Sequence, residues 1–224
     1  MPRHIGIVAC SPPGAALCYQ LLSTAVADPP EISIHAHPFE TYMHHIHAGD
    51  WDGVGALMLD SAHRLAGIGA DCLIAPCNTI HHAMDFVEPR SPRPWLHIAA
   101  EVAHEAQRRG FRRIALLGTK LIMESRVYPD RFEQAGIEYE IPDPSEREQI
   151  DRFIFDEMVG GKFTGDARAY LEAVIARMQQ RGCDAAGLCC TELPLLFQGI
   201  ETALPLLDST RILATAALER SRQC

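Results

Sequence analysis

A chain of 224 residues with 47% hydrophobic and 22% charged side chains has the composition of a soluble globular protein, with enough apolar content for one large domain or two small ones. Its formal net charge of −9 argues against binding nucleic acid through phosphate neutralisation, which needs a basic surface to release counterions. No apolar run approaches a membrane span and no export signal is visible, so a cytoplasmic protein with no membrane partner is expected, its eight cysteines held as thiols without any Cys-x-x-Cys pair.

In chain order, short apolar runs alternate with amphipathic stretches of helical length, which predicts α/β architecture with mainly parallel sheets. Ile5–Ala9 reads as a strand; a Ser-Pro-Pro-Gly turn at 11–14 leads into a helix over 15–25. Residues 31–35 form a second strand, followed by a histidine-rich segment read as a loop. Asp50 or Asp52 caps a helix to about Leu65, and a third strand covers 72–75. Residues 95–98 give a fourth strand and 99–109 a helix. The pattern then restarts, with a strand at 113–117, a helix over 121–135, a strand at 137–141 and a helix running to about Met158. A helix over 166–181, strands at 185–188 and 205–207, and a helix over 209–220 complete the chain.

The two halves share a word. Gly69-Ala70-Asp71 precedes Cys77 by six residues, and Gly182-Cys183-Asp184 precedes Cys190 by the same interval, with Thr79 and Thr191 close behind. Helix, strand and cysteine word recur in order, which indicates duplicated lobes. Ligands bind off the C-terminal strand ends in such sheets, where Cys77, Cys190, Ser11 and Thr119 all fall. One cysteine at a strand end is as readily a packed core residue, and Cys10, Cys18, Cys72, Cys183 and Cys224 are read that way. Two in matched words instead suggest facing thiols, the arrangement that a proton-shuttling isomerase needs. A thiol at a helix start feels positive potential that favours thiolate. The nearby backbone N–H groups, with Asn78, Thr79 and Thr191, can cradle a carboxylate. His81 and Glu192 are placed to tune the two cysteines.

Pro76-Cys77-Asn78-Thr79-Ile80-His81 and Cys190-Thr191-Glu192-Leu193-Pro194 resemble the paired signatures of the aspartate/glutamate racemase family. The Leu116–Lys120 turn, the Asp156-Glu157 helix end before Gly160-Gly161, and the run Leu207-Asp208-Ser209-Thr210 fit it too, so the likeness extends through nearly the whole chain. The resemblance implies two pseudo-symmetric lobes, each a parallel sheet flanked by helices, with the site in the cleft between them. Residues 1–98 with 208–224 would form the first lobe, carrying Cys77, and 99–207 the second, carrying Cys190. It implies a racemase without cofactor, with an amino acid as substrate and a homodimer as the assembly. One cysteine as thiolate would take the α-proton while the other, as thiol, protonates the opposite face.

Departures from the family pattern bear on the substrate. Glu40 stands where aspartate-specific members carry an Arg, and Gly160 where they carry a Lys, with Lys162 nearby. A grip on a second carboxylate is then missing, so aspartate, glutamate or a broader range of side chains all stay open. Cys189 replaces the Gly that usually precedes the second cysteine, and the loop Ala9–Gly14 lacks the family's Gly-Gly-Met turn; Glu40 and Cys189 are the specificity candidates. His44 and His47 have helical i, i+3 spacing for a metal, but no acidic or thiol partner at matching spacing, so no metal site is assigned. Rival readings are a cis–trans isomerase or decarboxylase of the same superfamily, a ligand sensor using the same pocket, and a Cys77–His81 hydrolase.

Overall fold

The computed structural model describes residues 4–222, so Cys224 lies outside the described residues. The chain divides into two compact units, Met1–Glu101 with Thr210–Cys224, and Val102–Ser209.

The first unit carries a four-stranded parallel sheet in the order β2-β1-β3-β4, with β1 at Ile5–Ala9, β2 at Ile32–Ala36, β3 at Cys72–Ile74 and β4 at Trp95–Leu96. Every residue of β1 and β3 is buried, as expected where helices cover both faces of a parallel sheet. On one face, Ile5, Ile7, Cys72 and Ile74 pack with Cys18 and Leu22 of α1 (Pro12–Thr24) and with Leu213, Ala214 and Ala217 of α11 (Ser209–Arg222). On the other, Val8 and Leu73 pack with Tyr42 of α2 (Phe39–Ala48) and with Val54, Met58 and Ala62 of α3 (Trp51–Gly67). Asp50 caps α3 by accepting the Gly53 N–H at 2.9 Å, a contact worth about 1 kcal/mol.

The second unit repeats the plan. Strands β5 (Arg113–Gly118), β6 (Glu138–Glu140), β7 (Ala185–Cys189) and β8 (Leu206–Asp208) lie parallel in the order β6-β5-β7-β8. Ala115, Leu117, Ala186 and Leu188 pack against Leu171, Val174 and Met178 of α9 (Gly165–Gln180), and against Ile150 of α8 (Pro144–Arg152).

The repeated Gly-x-Asp word has a structural purpose in both lobes. Gly69 and Gly182 turn the chain at φ of +100° and +90°, a region L side chains rarely enter. The aspartates that follow then pin the first strand to the third. Asp71 accepts the His4 N–H at 3.0 Å while its own N–H donates to the His4 carbonyl at 2.8 Å. Asp184 accepts from the N–H groups of Arg112 and Arg113 at 2.8 and 3.1 Å, and its N–H donates to the Arg113 carbonyl at 2.9 Å.

Several elements differ from the sequence expectation. The helix after β1 begins at Pro12, since two prolines preset its first turn and need no N–H partners there. The histidine-rich loop is the helix α2, closed by Gly49 in the left-handed region. The single helix over 121–135 is two, α6 (Lys120–Met123) and α7 (Pro129–Gln134), because Pro129 can open a helix but cannot continue one. The helix to Met158 is α-helical only to Arg152 and widens to a π-helix over Phe153–Met158. The helix α5 occupies Ile98–Arg108, one residue earlier at each end than expected. Among the described residues, no helix is long and apolar enough to cross a membrane.

Candidate active site

Parallel strands place all their C-terminal ends at one edge of a sheet, and the candidate residues follow those ends in each lobe. In the first lobe, Cys10 and Ser11 follow β1, Glu40 lies just beyond β2, and Cys77 follows β3. Ser11 occupies the N-cap position of α1 but makes no capping bond, and its Oγ is closed to solvent without a hydrogen-bond partner. A buried hydroxyl in that state is a ready donor or acceptor for a bound molecule. Glu40 is exposed in the first turn of α2.

Cys77 is half-buried and packs against the cluster that holds Val8, Cys10 and Tyr42. Asn78 beside it is buried and Thr79 half-buried at the start of a 3-10 turn over Thr79–Ala83, which runs into α4 (Met84–Val87). His81 is only 3% exposed, not solvated as an exposed helix-start histidine would be. Its Nε2 stands 3.1 Å from the Ala75 carbonyl, which can only accept, so the ring proton sits on Nε2 and clamps the loop Ala75–His81 that presents Cys77. The His97 ring meets it edge to face, with centroids 4.6 Å apart.

Tyr42, which the sequence reading did not single out, lies among the residues around Cys77. It is fully buried, and burial, then the thiols of Cys10 and Cys77, push its hydroxyl far above the usual phenol range. It therefore stays a neutral hydroxyl next to Cys77. The signal was its place two residues beyond Glu40, in the segment read as a loop.

In the second lobe, Gly118 ends β5. A Cβ there would come within 2.9 Å of the Cys189 carbonyl oxygen, so glycine permits the close approach of β5 to β7 at the site. Thr119 is buried and caps α6, its Oγ1 accepting the Ile122 N–H at 3.3 Å; its hydroxyl proton can still be donated elsewhere.

Cys190 is 9% exposed, and its Sγ–H donates to Oε2 of Glu192 at 2.9 Å. Thr191 Oγ1 donates to the same carboxylate oxygen at 2.9 Å, and Thr191 and Glu192 are themselves buried. A thiol, a hydroxyl and a carboxylate from three consecutive residues thus form one buried network. The carboxylate is thus within direct reach of the thiol proton. Cys189, one position earlier, belongs to the opposite face of β7. It lies fully buried against the Tyr128 hydroxyl, where burial raises the pKa of both groups.

The helix-start effect expected for both thiols differs between the lobes. Behind Cys77 the 3-10 turn continues into α4 and a further 3-10 turn to Arg90, whereas α10 (Leu193–Leu196) beyond Cys190 has a single turn. So few peptide dipoles sum to little potential at Cys190. His44 and His47 lie exposed on α2.

The model of the Asp/Glu/hydantoin racemase family matches residues 7–217. A glutamate racemase of Koribacter versatilis is 28% identical over 176 residues, which cover 75% of this chain and 59% of that protein. The match therefore spans less than two thirds of that relative's length. The broad specificity amino-acid racemase RacX of Bacillus subtilis is 22% identical over 169 residues, 75% of this chain and 73% of RacX. Among solved structures, a candidate Asp/Glu racemase from Yersinia pestis superposes with a TM-score of 0.90 at 28% identity, covering 99% of this chain and all of that one. With its two parallel four-stranded sheets, its paired cysteine words and a family match over nearly its full length, this chain belongs to the Asp/Glu/hydantoin racemase family.

Proposed function

We propose that this protein racemises an amino acid without a cofactor, Cys77 and Cys190 acting on opposite faces of the α-carbon. The observation that carries the reading is the equivalence of the two thiols: each follows the third strand of its own lobe, behind the same Gly-x-Asp device, β3 for Cys77 and β7 for Cys190.

In one direction a thiolate accepts the α-proton and a thiol delivers another to the far face; in the other direction the roles exchange. The negative charge that develops on the substrate needs donors arranged beforehand. Ser11, Asn78, Thr79, Thr119 and Thr191 supply hydroxyl and amide groups at the strand ends. Glu192 gives Cys190 a resident proton acceptor: when the thiol proton passes to Oε2, sulfur becomes the base without the proton leaving the network.

The side chain of the substrate is not acidic by necessity. Glu40 is exposed and adds negative charge where a cation would grip a second carboxylate. A broad range of amino acids suits this surface, in keeping with RacX, named as a broad specificity enzyme. The test is α-proton exchange in deuterium oxide, followed by NMR over a panel of L- and D-amino acids. Exchange with several neutral or basic members is expected, and exchange with none would refute the reading. Glu40→Arg is expected to move the preference toward aspartate and glutamate; an unchanged ranking would reject the role given to that residue.

A further inference from the structure

The sequence directed attention to His44 and His47 for a metal, but the donors that converge lie one element earlier. His35 and His37 sit at i and i+2 on the edge strand β2 and just past its end, so both imidazoles lie on one face of the sheet. That face is covered by α3, which brings Asp60 to them. One ligand atom from each of His35, His37 and Asp60 falls within 4.8 Å of the others, and all three residues are partly buried.

We propose that His35, His37 and Asp60 form a binding site for a divalent transition-metal ion of the zinc class. Two imidazoles and a carboxylate are the donor set of a three-ligand site that keeps one position for water. The structure supports it in three further ways.

His37 Nε2 is closed to solvent and stands 3.0 Å from Asp60 Oδ2, yet out of line for a hydrogen bond. That nitrogen has the carboxylate as an ion-pair neighbour but no hydrogen bond, and its separation from the oxygen is close to that between two ligands of a tetrahedral ion with bonds of about 2.0 Å. One edge of the coordination polyhedron is therefore already built.

His35 is held as a ligand would be. Ser61 Oγ uses its single proton on the Leu57 carbonyl at 3.1 Å, so toward His35 Nδ1, 2.9 Å away, it accepts. The ring proton is then on Nδ1, and the lone pair is left on Nε2. Ligating histidines are oriented in this manner by a partner on the second nitrogen.

The competing contact is removable. Arg64 Nε donates to Asp60 Oδ2 at 2.8 Å, from a side chain that is 61% exposed and can swing into solvent. A metal must displace this guanidinium, so Arg64 sets the affinity from outside the donor set. None of these residues is assigned to racemisation, and the site is independent of the reaction proposed above.

The test is calorimetric titration of the full chain with zinc ion, in a background of Cys77→Ser and Cys190→Ser so that those thiols do not compete. One ion per chain is expected. His35→Ala with His37→Ala is expected to abolish that binding. Ser61→Ala, which spares all three donors, should weaken it by roughly 10- to 100-fold. Arg64→Ala should tighten it several-fold. Cobalt(II) in the same background should give visible d–d bands without sulfur-to-metal charge transfer. Binding unchanged in the double histidine variant, a thiolate band with cobalt, or no binding of either ion would each overturn the proposal.

Discussion

The two lobes are alike where the fold needs them to be and differ around the cysteines that follow their third strands. Both have the same strand order, the same left-handed glycine turn and the same aspartate tying the first strand to the third. Their cysteines, however, have unlike neighbours. Cys190 donates to a buried carboxylate two residues along the chain. Cys77 lies beside a neutral phenol and the thiol of Cys10, in a loop clamped by a buried histidine. The lesson is that duplication preserved the strand ends that carry the thiols, while the groups around each thiol are set locally. Under the proposed mechanism, a pseudo-symmetric reaction would be run by two thiols with unequal surroundings.

The largest effects should come from the thiols themselves. Cys77→Ser and Cys190→Ser are each expected to lower racemisation by about 10³-fold or more, read as loss of optical rotation change per folded molecule. Equal and small losses would mean that neither thiol moves the proton.

Glu192→Gln comes next and separates the lobes. Glutamine keeps the shape and can hydrogen-bond Cys190, but it cannot hold a proton in exchange with sulfur. A loss of about 10²-fold is expected, with an altered pH profile in the direction that uses Cys190 as base and a smaller change in the other. An identical loss in both directions with an unmoved profile would reduce Glu192 to packing.

The aspartate pins should act on stability in both lobes. Among the described residues, Asp184 receives the backbone N–H groups of Arg112 and Arg113, and Asp71 that of His4. Asp184→Ala and Asp71→Ala are each expected to cost about 1–3 kcal/mol in urea unfolding. A loss well below about 1 kcal/mol in either variant would show that the shared word does not act as a pin in that half.

The smallest effect concerns acid stability of the first lobe. His82 stacks on Trp51 with centroids 4.3 Å apart, and its Nε2 is closed to solvent without a partner. Burial lowers its pKa below the usual 6.5. The unfolded chain therefore takes up this proton more readily, and the linked stability is present above about pH 6.5 and lost as pH falls through the folded value. His82→Gln should flatten the dependence of the urea midpoint between pH 6.5 and 5. An unchanged slope would assign the acid sensitivity to other groups.

Much of this was legible in the sequence because it is carried by local words. The alternation of apolar strands and amphipathic helices, the paired Gly-x-Asp words and the Asn-Thr-x-His and Thr-Glu flanks are all contiguous in the chain. They suffice for the fold class and for nominating Cys77, Cys190, Asn78, Thr191 and Glu192. What was hidden depends on tertiary neighbours. Tyr42 lay in a segment whose run of histidines masked an amphipathic helix, and its approach to Cys77 is made only when α2 packs on the sheet. The burial of His81 likewise depends on the fold around the Cys77 loop and on His97, sixteen residues away. The opposite facing of Cys189 and Cys190 follows from strand alternation, but only once β7 is known to run through Cys189.

The central claim is that two unequal thiols serve the two faces of one α-carbon. It is tested most directly by solvent deuterium incorporation into separate L- and D-enantiomers of the best substrate, using Cys77→Ser and Cys190→Ser. Each variant is expected to lose interconversion and to retain exchange with at most one enantiomer, the opposite one in the two variants. Interconversion at the parental rate in either variant, or exchange of the same enantiomer by both, would contradict the account.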